Sequence, residues 1–115
     1  MKKYFIIGAM LLSGMISAHT IEPKLEAYGN LVKATYYHEN GRVQQTGFFK
    51  DGKLEGQWVS YDSNGAKTAS GEYSAGEKTG TWVFFGPNTL AEVSYKNNKI
   101  ESVKNWKQEA VVHRN

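Results

Sequence analysis

Two stretches decide the fold of this chain: GFFKDGKLEGQW at residues 47–58 and GEYSAGEKTGTW at residues 71–82. Both follow the pattern Gly-x-aromatic-x-x-Gly-x-x-x-Gly-x-Trp, and they are offset by 24 residues. A third copy begins with TWVFF (81–85) and then decays. Two strong copies between weaker ones are typical of a short repeat array with capping ends.

Turn signals recur within the repeat. Asn-Gly pairs favour tight hairpin turns because both residues tolerate positive φ. Asp51-Gly52 and Ala75-Gly76 mark the second connection in each copy. We therefore predict that the structural turns contain Asn40, Gly41, Gly52, Asn64, Gly65 and Gly76.

The runs between these turns are short and rich in aromatic and β-branched residues, which favours strands. They are VKATYYH (32–38), RVQQTGFFK (42–50), QWVSYD (57–62), AKTASGEYS (66–74), TWVFF (81–85), LAEVSYK (90–96) and, as a seventh strand, KIESVKNW (99–106). Helical periodicity is limited to a helical turn at PKLEAY (23–28). The sequence therefore predicts an all-β fold: an antiparallel meander of successive hairpins in one sheet of six or seven strands.

Gly47 and Gly71 fall inside predicted strands, where glycine costs stability and offers no side chain to pack. A bulge is one explanation, and close cover by an aromatic ring is the other. Trp58 and Trp82 recur with the same period as the two glycines. We therefore expect a tryptophan ring, that of Trp58, to lie across Gly47 or Gly71.

The N-terminus has the three parts of a secretory signal peptide: a basic start, a twelve-residue apolar run (5–16) and small residues at Ser17-Ala18. The run is too short to cross a bilayer, which takes about 20 apolar residues. We expect a signal peptide at 1–18, an N-terminal lead-in at 19–31, a repeat domain at 32–106 and a tail at 107–115.

Removal of the predicted signal peptide changes the charge of the mature chain. The full chain has a net charge of +3, and Lys2 and Lys3 leave with the signal, so 12 basic and 11 acidic residues remain. Such a balance gives no electrostatic basis for binding nucleic acid. The chain has no cysteine, which excludes disulfides and the lipid attachment of a bacterial lipoprotein. We expect a secreted or periplasmic protein.

The repeated pattern resembles the MORN repeat, in its bacterial variant form with the Tyr-x-x-Asn-Gly turn, over roughly residues 32–102. The resemblance implies a sheet of successive hairpins. It also implies binding, because MORN arrays are associated with membrane surfaces, phospholipid headgroups and protein scaffolding. Bacterial proteins with the variant repeat are often grouped as YwqK-like antitoxins, which implies inhibition of a partner protein as an alternative.

The aromatic residues are the candidate binding face, since tyrosine and tryptophan dominate interface hot spots. The competing interpretation is that a small sheet uses them as its core, which we prefer for Trp58 and Trp82. Strand alternation puts rings on both sides of the sheet, and one uncovered apolar side usually marks an interaction site. The candidate residues are Tyr37, Phe49, Trp58, Tyr61, Tyr73, Trp82, Phe85 and Tyr95.

Catalytic, cofactor and metal sites are not predicted. The three histidines are dispersed, and His38 is expected to be a solvated turn residue. The basic C-terminal stretch is either a solvated end or a patch for anionic lipid or polysaccharide; it contains Lys96, Lys99, Lys104, Lys107 and Arg114. The sequence thus predicts a non-catalytic binding module for a protein partner, with membrane lipid or cell-envelope glycan as the alternative.

Overall fold

The computed structural model describes residues 21–107, so the predicted signal peptide at 1–18 and the tail beyond Lys107 lie outside the described residues. Nine β-strands and no helix are present within this range. They are β1 (Lys24–Tyr28), β2 (Leu31–Tyr37), β3 (Val43–Lys50), β4 (Lys53–Leu54), β5 (Gly56–Tyr61), β6 (Lys67–Ser74), β7 (Glu77–Phe85), β8 (Thr89–Lys96) and β9 (Lys99–Lys107).

The strands form one open antiparallel sheet in the order β1-β2-β3-β5-β6-β7-β8-β9, with the short β4 paired to β3. Each main strand pairs only with its neighbours along the chain, so the predicted meander of hairpins is confirmed. β1 and β9 are the two edges of the sheet.

The sheet has more strands than the six or seven predicted. The helical turn expected at 23–28 is wrong, because Lys24–Tyr28 is strand β1 and pairs along its whole length with β2. The sheet therefore starts within the expected lead-in. β4 is the other additional strand, and Leu54 in it pairs with Phe49.

The turns are of two kinds. At the Asn-Gly pairs only the glycines have positive φ, 89° at Gly41 and 93° at Gly65. Each loop holds three residues, since the amide of His38 donates to the carbonyl of Arg42 at 2.8 Å and that of Asp62 to Ala66 at 2.8 Å. The predicted turn residues Asn40, Gly41, Asn64 and Gly65 all lie in these loops, but the asparagines do not use the positive φ that they tolerate. A three-residue loop with a left-handed glycine takes the place of the two-residue turn.

Two-residue turns with positive φ at both positions occur at the opposite end of the sheet. They are Asp51-Gly52 (51° and 82°), Ala75-Gly76 (51° and 88°) and Asn97-Asn98 (51° and 71°). This is the type I′ geometry, whose twist matches that of the flanking strands. Asn98 keeps this geometry, so the decayed third copy of the repeat retains the turn without glycine.

Successive copies of the repeat are linked through their turns. The Asn40 side-chain amide donates to the carbonyl of Ser63 at 2.9 Å, and the Arg42 guanidinium donates to the carbonyl of Asn64. At the other end, the amide of Gly76 donates to the carbonyl of Leu54 at 2.8 Å, and that of Asn98 to Lys78 at 2.9 Å. Each turn is thus held by the neighbouring copy.

The register divides the side chains between two faces. The packed face carries Ala34 opposite Gly47 and Trp58 opposite Gly71. The opposite side, which we call the open face, carries the intervening residues, such as Val83 opposite Glu92. Thr35 and Val59 are its buried members. A core cluster of Ala34, Tyr36 and Phe49 lies on the packed face, with Val32 and Leu54 against it.

Candidate binding surface

A row of aromatic rings crosses four strands on the packed face. Tyr73 lies between two tryptophans, with ring centroids 6.0 Å from Trp58 and 5.1 Å from Trp82, both edge to face. Trp82 also meets Tyr95 at 6.1 Å and stacks on Phe84 at 6.2 Å. Offset and edge-to-face pairs of this kind stabilise by about 1 kcal/mol each beyond the area they bury.

Each tryptophan in the row lies over a glycine. A methyl group at Gly47 would collide with the ring of Trp58, and one at Gly71 with the ring of Trp82. The expectation that an aromatic ring covers these glycines is confirmed, and it is Trp82 rather than Trp58 that covers Gly71. The indole of Trp82 also donates to the carbonyl of Glu72 at 3.1 Å, which fixes the ring in its plane.

These two tryptophans belong to the core. Trp58 is 9% exposed and Trp82 is 3% exposed. The ammonium of Lys78 lies over both neighbouring rings, 5.2 Å from the centroid of Trp82 and 5.1 Å from that of Tyr95, in cation–π contacts. Burial, followed by the neighbouring Tyr95, raises the pKa of Tyr73. The row is therefore a packed layer and not an open docking face.

The eight predicted site residues are divided between the faces. Five lie on the packed face: Phe49, Trp58, Tyr73, Trp82 and Tyr95. Three lie on the open face: Tyr37, Tyr61 and Phe85. The eight residues therefore do not form one surface. They recur in the repeat, but successive residues of a strand point to opposite faces of the sheet.

An exposed apolar patch lies on the open face at the C-terminal edge of the sheet. Phe85 pairs with Leu90 in β8, and Leu90 pairs with Trp106 in β9. Directly paired side chains on one face lie about 5 Å apart at Cβ, so the three form a continuous strip, which we call the corner patch. Trp106 is 50% exposed and Phe85 is 37% exposed.

Sequence reasoning named Phe85 but missed Trp106 as a site residue. Trp106 lies beyond the last strong copy of the repeat, in an edge strand that has no neighbour on its outer side among the described residues. Its position in the last predicted strand is the feature of the sequence from which its exposure could have been predicted. A second exposed ring missed by the sequence is Tyr28, which lies at the other edge and contacts Phe48 at 5.6 Å.

The open face also has a shallow polar depression of about 310 Å³, lined by Gln57, Ser70, Gly71, Glu72 and Thr81. Its lining offers hydroxyls, an amide and one carboxylate, which suits hydrogen bonding rather than acid–base chemistry with two titratable groups. His38 lies away from it in the first Asn-Gly loop, where its Nε2 is 3.0 Å from the carbonyl oxygen of Tyr61.

The charged groups in the described part of the chain are dispersed and do not cluster into a metal site. Residues 21–107 contain no group of three or more His, Cys, Asp or Glu side chains that could hold a metal ion. Lys99, Lys104 and Lys107 lie along β9, and within the described range they make no ion pair. In the same range no helix is long and apolar enough to span a bilayer.

Comparison of the sequence with protein-family models, with curated proteins and with solved structures gives no match.

Proposed function

We propose that this chain is an exported, non-catalytic binding module that docks a protein partner through the corner patch. One observation carries the proposal. Trp106 is 50% exposed and Phe85 is 37% exposed at the same corner of the sheet, whereas the repeat tryptophans Trp58 and Trp82 are buried. Exposed aromatic residues next to each other are what binding hot spots are made of.

Other features support the proposal. The charged start, apolar run and small residues at 1–18 support export. The sheet of successive hairpins is the fold that the resemblance to MORN repeats implies, and MORN arrays are associated with scaffolding and surface binding. The polar groups of the described residues serve mainly in turns, as with His38, which supports a binding role over a catalytic one.

The test is retention of envelope proteins on the immobilised mature chain. Trp106→Ser and Phe85→Ser remove exposed rings, so both variants should keep the wild-type melting temperature. Loss of a hot-spot ring weakens binding by about 2 kcal/mol or more, a fall in affinity of roughly 30-fold. Tyr28→Ser is the matched control, because it removes an exposed ring from the opposite edge of the sheet.

The proposal fails if Trp106→Ser and Phe85→Ser stay folded and retain the same partners as the wild type. It also fails if Tyr28→Ser loses those partners to the same extent, because binding would then not distinguish the corner patch from the opposite edge of the sheet.

Binding to anionic lipid or envelope glycan is the second candidate, because Lys104 and Lys107 lie on either side of Trp106 in β9. An interfacial ring flanked by cations suits a negatively charged surface. Phosphatidylglycerol vesicles and peptidoglycan test this candidate. Retention that falls with salt and that depends on the lysines favours it over a protein partner.

A further inference from the structure

Among the strands of residues 21–107, β9 presents the longest free backbone edge. All nine of its residues are exposed, and it pairs with β8 from Thr89 opposite Lys107 to Lys96 opposite Lys99. Nine residues of strand extend over about 30 Å, with every second amide and carbonyl directed outward. The other edge, β1, has five residues, and its Lys24 and Glu26 are paired with each other at 3.7 Å.

Apolar side chains accompany this free edge on both faces. Ile100 is 60% exposed and Val103 is 51% exposed, and both lie on the packed face next to Tyr95 and Val93. Trp106 lies on the open face. An added strand would bury all three, since side chains directly opposite in neighbouring strands come within about 5 Å at Cβ.

The charges along β9 determine which kind of added strand can pair with it. β9 carries Lys99, Lys104 and Lys107 against Glu101, and the end of β8 adds Lys96. Glu92 lies opposite Lys104 and offsets part of this charge, but four lysines against two glutamates leave the edge positive. Antiparallel pairing of two β9 strands centred on Val103 would place Lys99 opposite Lys107 at each end, and like charges directly opposite are destabilising. Lysines on an edge strand block self-association in this way.

We propose that β9 accepts an extended acidic peptide of a partner protein as an additional antiparallel strand. Main-chain hydrogen bonds to the free edge hold the peptide, and its acidic residues lie opposite the lysines of β9. Its apolar residues cover Val103 and Trp106. This inference rests on the proposed function, since it specifies the chemistry of the partner that reaches the same corner.

The experiment measures the affinity of synthetic peptides for the mature chain by tryptophan fluorescence and by calorimetry. The peptide has the length of β9, with glutamates placed opposite Lys99, Lys104 and Lys107 and valines opposite Ile100 and Val103. There are two control peptides. The first has lysine in place of each glutamate, and the second has N-methyl groups on the amides that would face β9.

We expect the acidic peptide to bind and both control peptides to lose at least tenfold in affinity, or about 1.4 kcal/mol. The double variant Lys104→Glu/Lys107→Glu should lose at least as much, while Lys67→Glu, an exposed lysine on an interior strand, should bind like the wild type. Binding should weaken as salt rises.

Equal binding of the N-methylated peptide would overturn the inference, because strand addition needs those amides. Equal binding by Lys104→Glu/Lys107→Glu would overturn the acidic preference, and self-association of the chain without peptide would assign the edge to a second copy. If the peptides fail but envelope partners still depend on Trp106, only this inference fails. If that dependence also disappears, the proposed function fails with it.

Discussion

At the scale of single residues, Gly47 and Gly71 let a tryptophan ring pack directly against the backbone. Each leaves the space above its backbone to an indole ring, and the ring in turn replaces the side chain that glycine lacks. The 24-residue spacing of glycine and tryptophan therefore reflects a packing pair repeated along the sheet.

We predict that Gly71→Ala lowers the free energy of unfolding by about 3 kcal/mol, because the added methyl group displaces the Trp82 ring from its place. Urea unfolding measures the change. In a Trp82→Ala background the same substitution should cost far less, since the colliding ring is gone. An equal cost in both backgrounds would mean that the glycine is needed for its backbone conformation instead.

Tyr36 is the exception among the buried aromatics. It is 3% exposed, and no residue in the described range forms a hydrogen bond with its hydroxyl. An unsatisfied buried hydroxyl costs about 1–3 kcal/mol. Burial also raises the pKa of Tyr36 above its ordinary value of 10.0.

We predict that Tyr36→Phe raises the free energy of unfolding by about 1 kcal/mol at neutral pH, measured by urea denaturation. The raised pKa means that the folded state holds the phenol proton more tightly than the unfolded state. Wild-type stability is therefore unaffected by this group below about pH 10 and falls as pH rises above it. Tyr36→Phe should show less of this alkaline fall, and an unchanged fall would assign it to other tyrosines such as Tyr73.

Residue-level prediction succeeded where the repeat itself carried the information. The cover of Gly47 and Gly71 followed from two matched periods. The exposure of the tryptophans could not be predicted from the sequence, because nothing there distinguishes the buried Trp58 and Trp82 from the exposed Trp106. Their burial depends on which strands lie beside each ring, and Trp106 has a neighbour on one side only.

At the scale of elements, the turns divide the sheet into two unlike ends. The loops at one end are fixed by side chains, as when Asp62 accepts hydrogen bonds from the amides of Asn64 and Ala66 at 2.9 and 3.0 Å. The type I′ turns at the other end depend on residues that tolerate positive φ. Ala75 occupies such a position at 51° and has no side-chain oxygen to compensate.

We predict that Ala75→Asn stabilises the protein by about 1 kcal/mol, because a left-handed conformation costs a residue with a Cβ roughly 1–2 kcal/mol and asparagine tolerates it best. The melting temperature should rise by about 4–8 °C. Ala66→Asn is the control, since Ala66 has no positive φ. A rise of equal size in the control would point to a general surface effect.

Element boundaries were least predictable where the chain leaves the repeat. KLEAY at 24–28 carries a single leucine and charged residues, so its pattern fits a helical turn as well as a strand. Only pairing with β2 makes it a strand. β4 has two residues, and its existence depends on Leu54 reaching the core cluster.

At the scale of the whole molecule, the sheet behaves as a linear array. Each main strand contacts its two neighbours, and the turns connect one copy of the repeat to the next. The stability of such an array is approximately a sum over units and their interfaces.

We predict that deleting residues 53–76, one full period, leaves a folded shorter sheet. The deletion joins Gly52 to Glu77 and brings Trp82 over Gly47 in the place of Trp58. The slope of unfolding free energy against urea should fall by about a quarter, in proportion to the surface removed. Deleting 53–64, half a period, is the control and should unfold the protein, because it brings Ser70 to the place of Trp58 and leaves Gly47 without a ring above it.

The linear arrangement of strands has a consequence for how the chain reaches its native state. No strand waits for a distant partner, so the contact order is low for a β protein and each hairpin closes locally, on a timescale of about 1–10 μs. A chain delivered with its N-terminus first can add strands to the growing sheet in the order in which they emerge. Within residues 21–107, β9 is the last strand to arrive, and it keeps its free edge because no further strand of this range follows it.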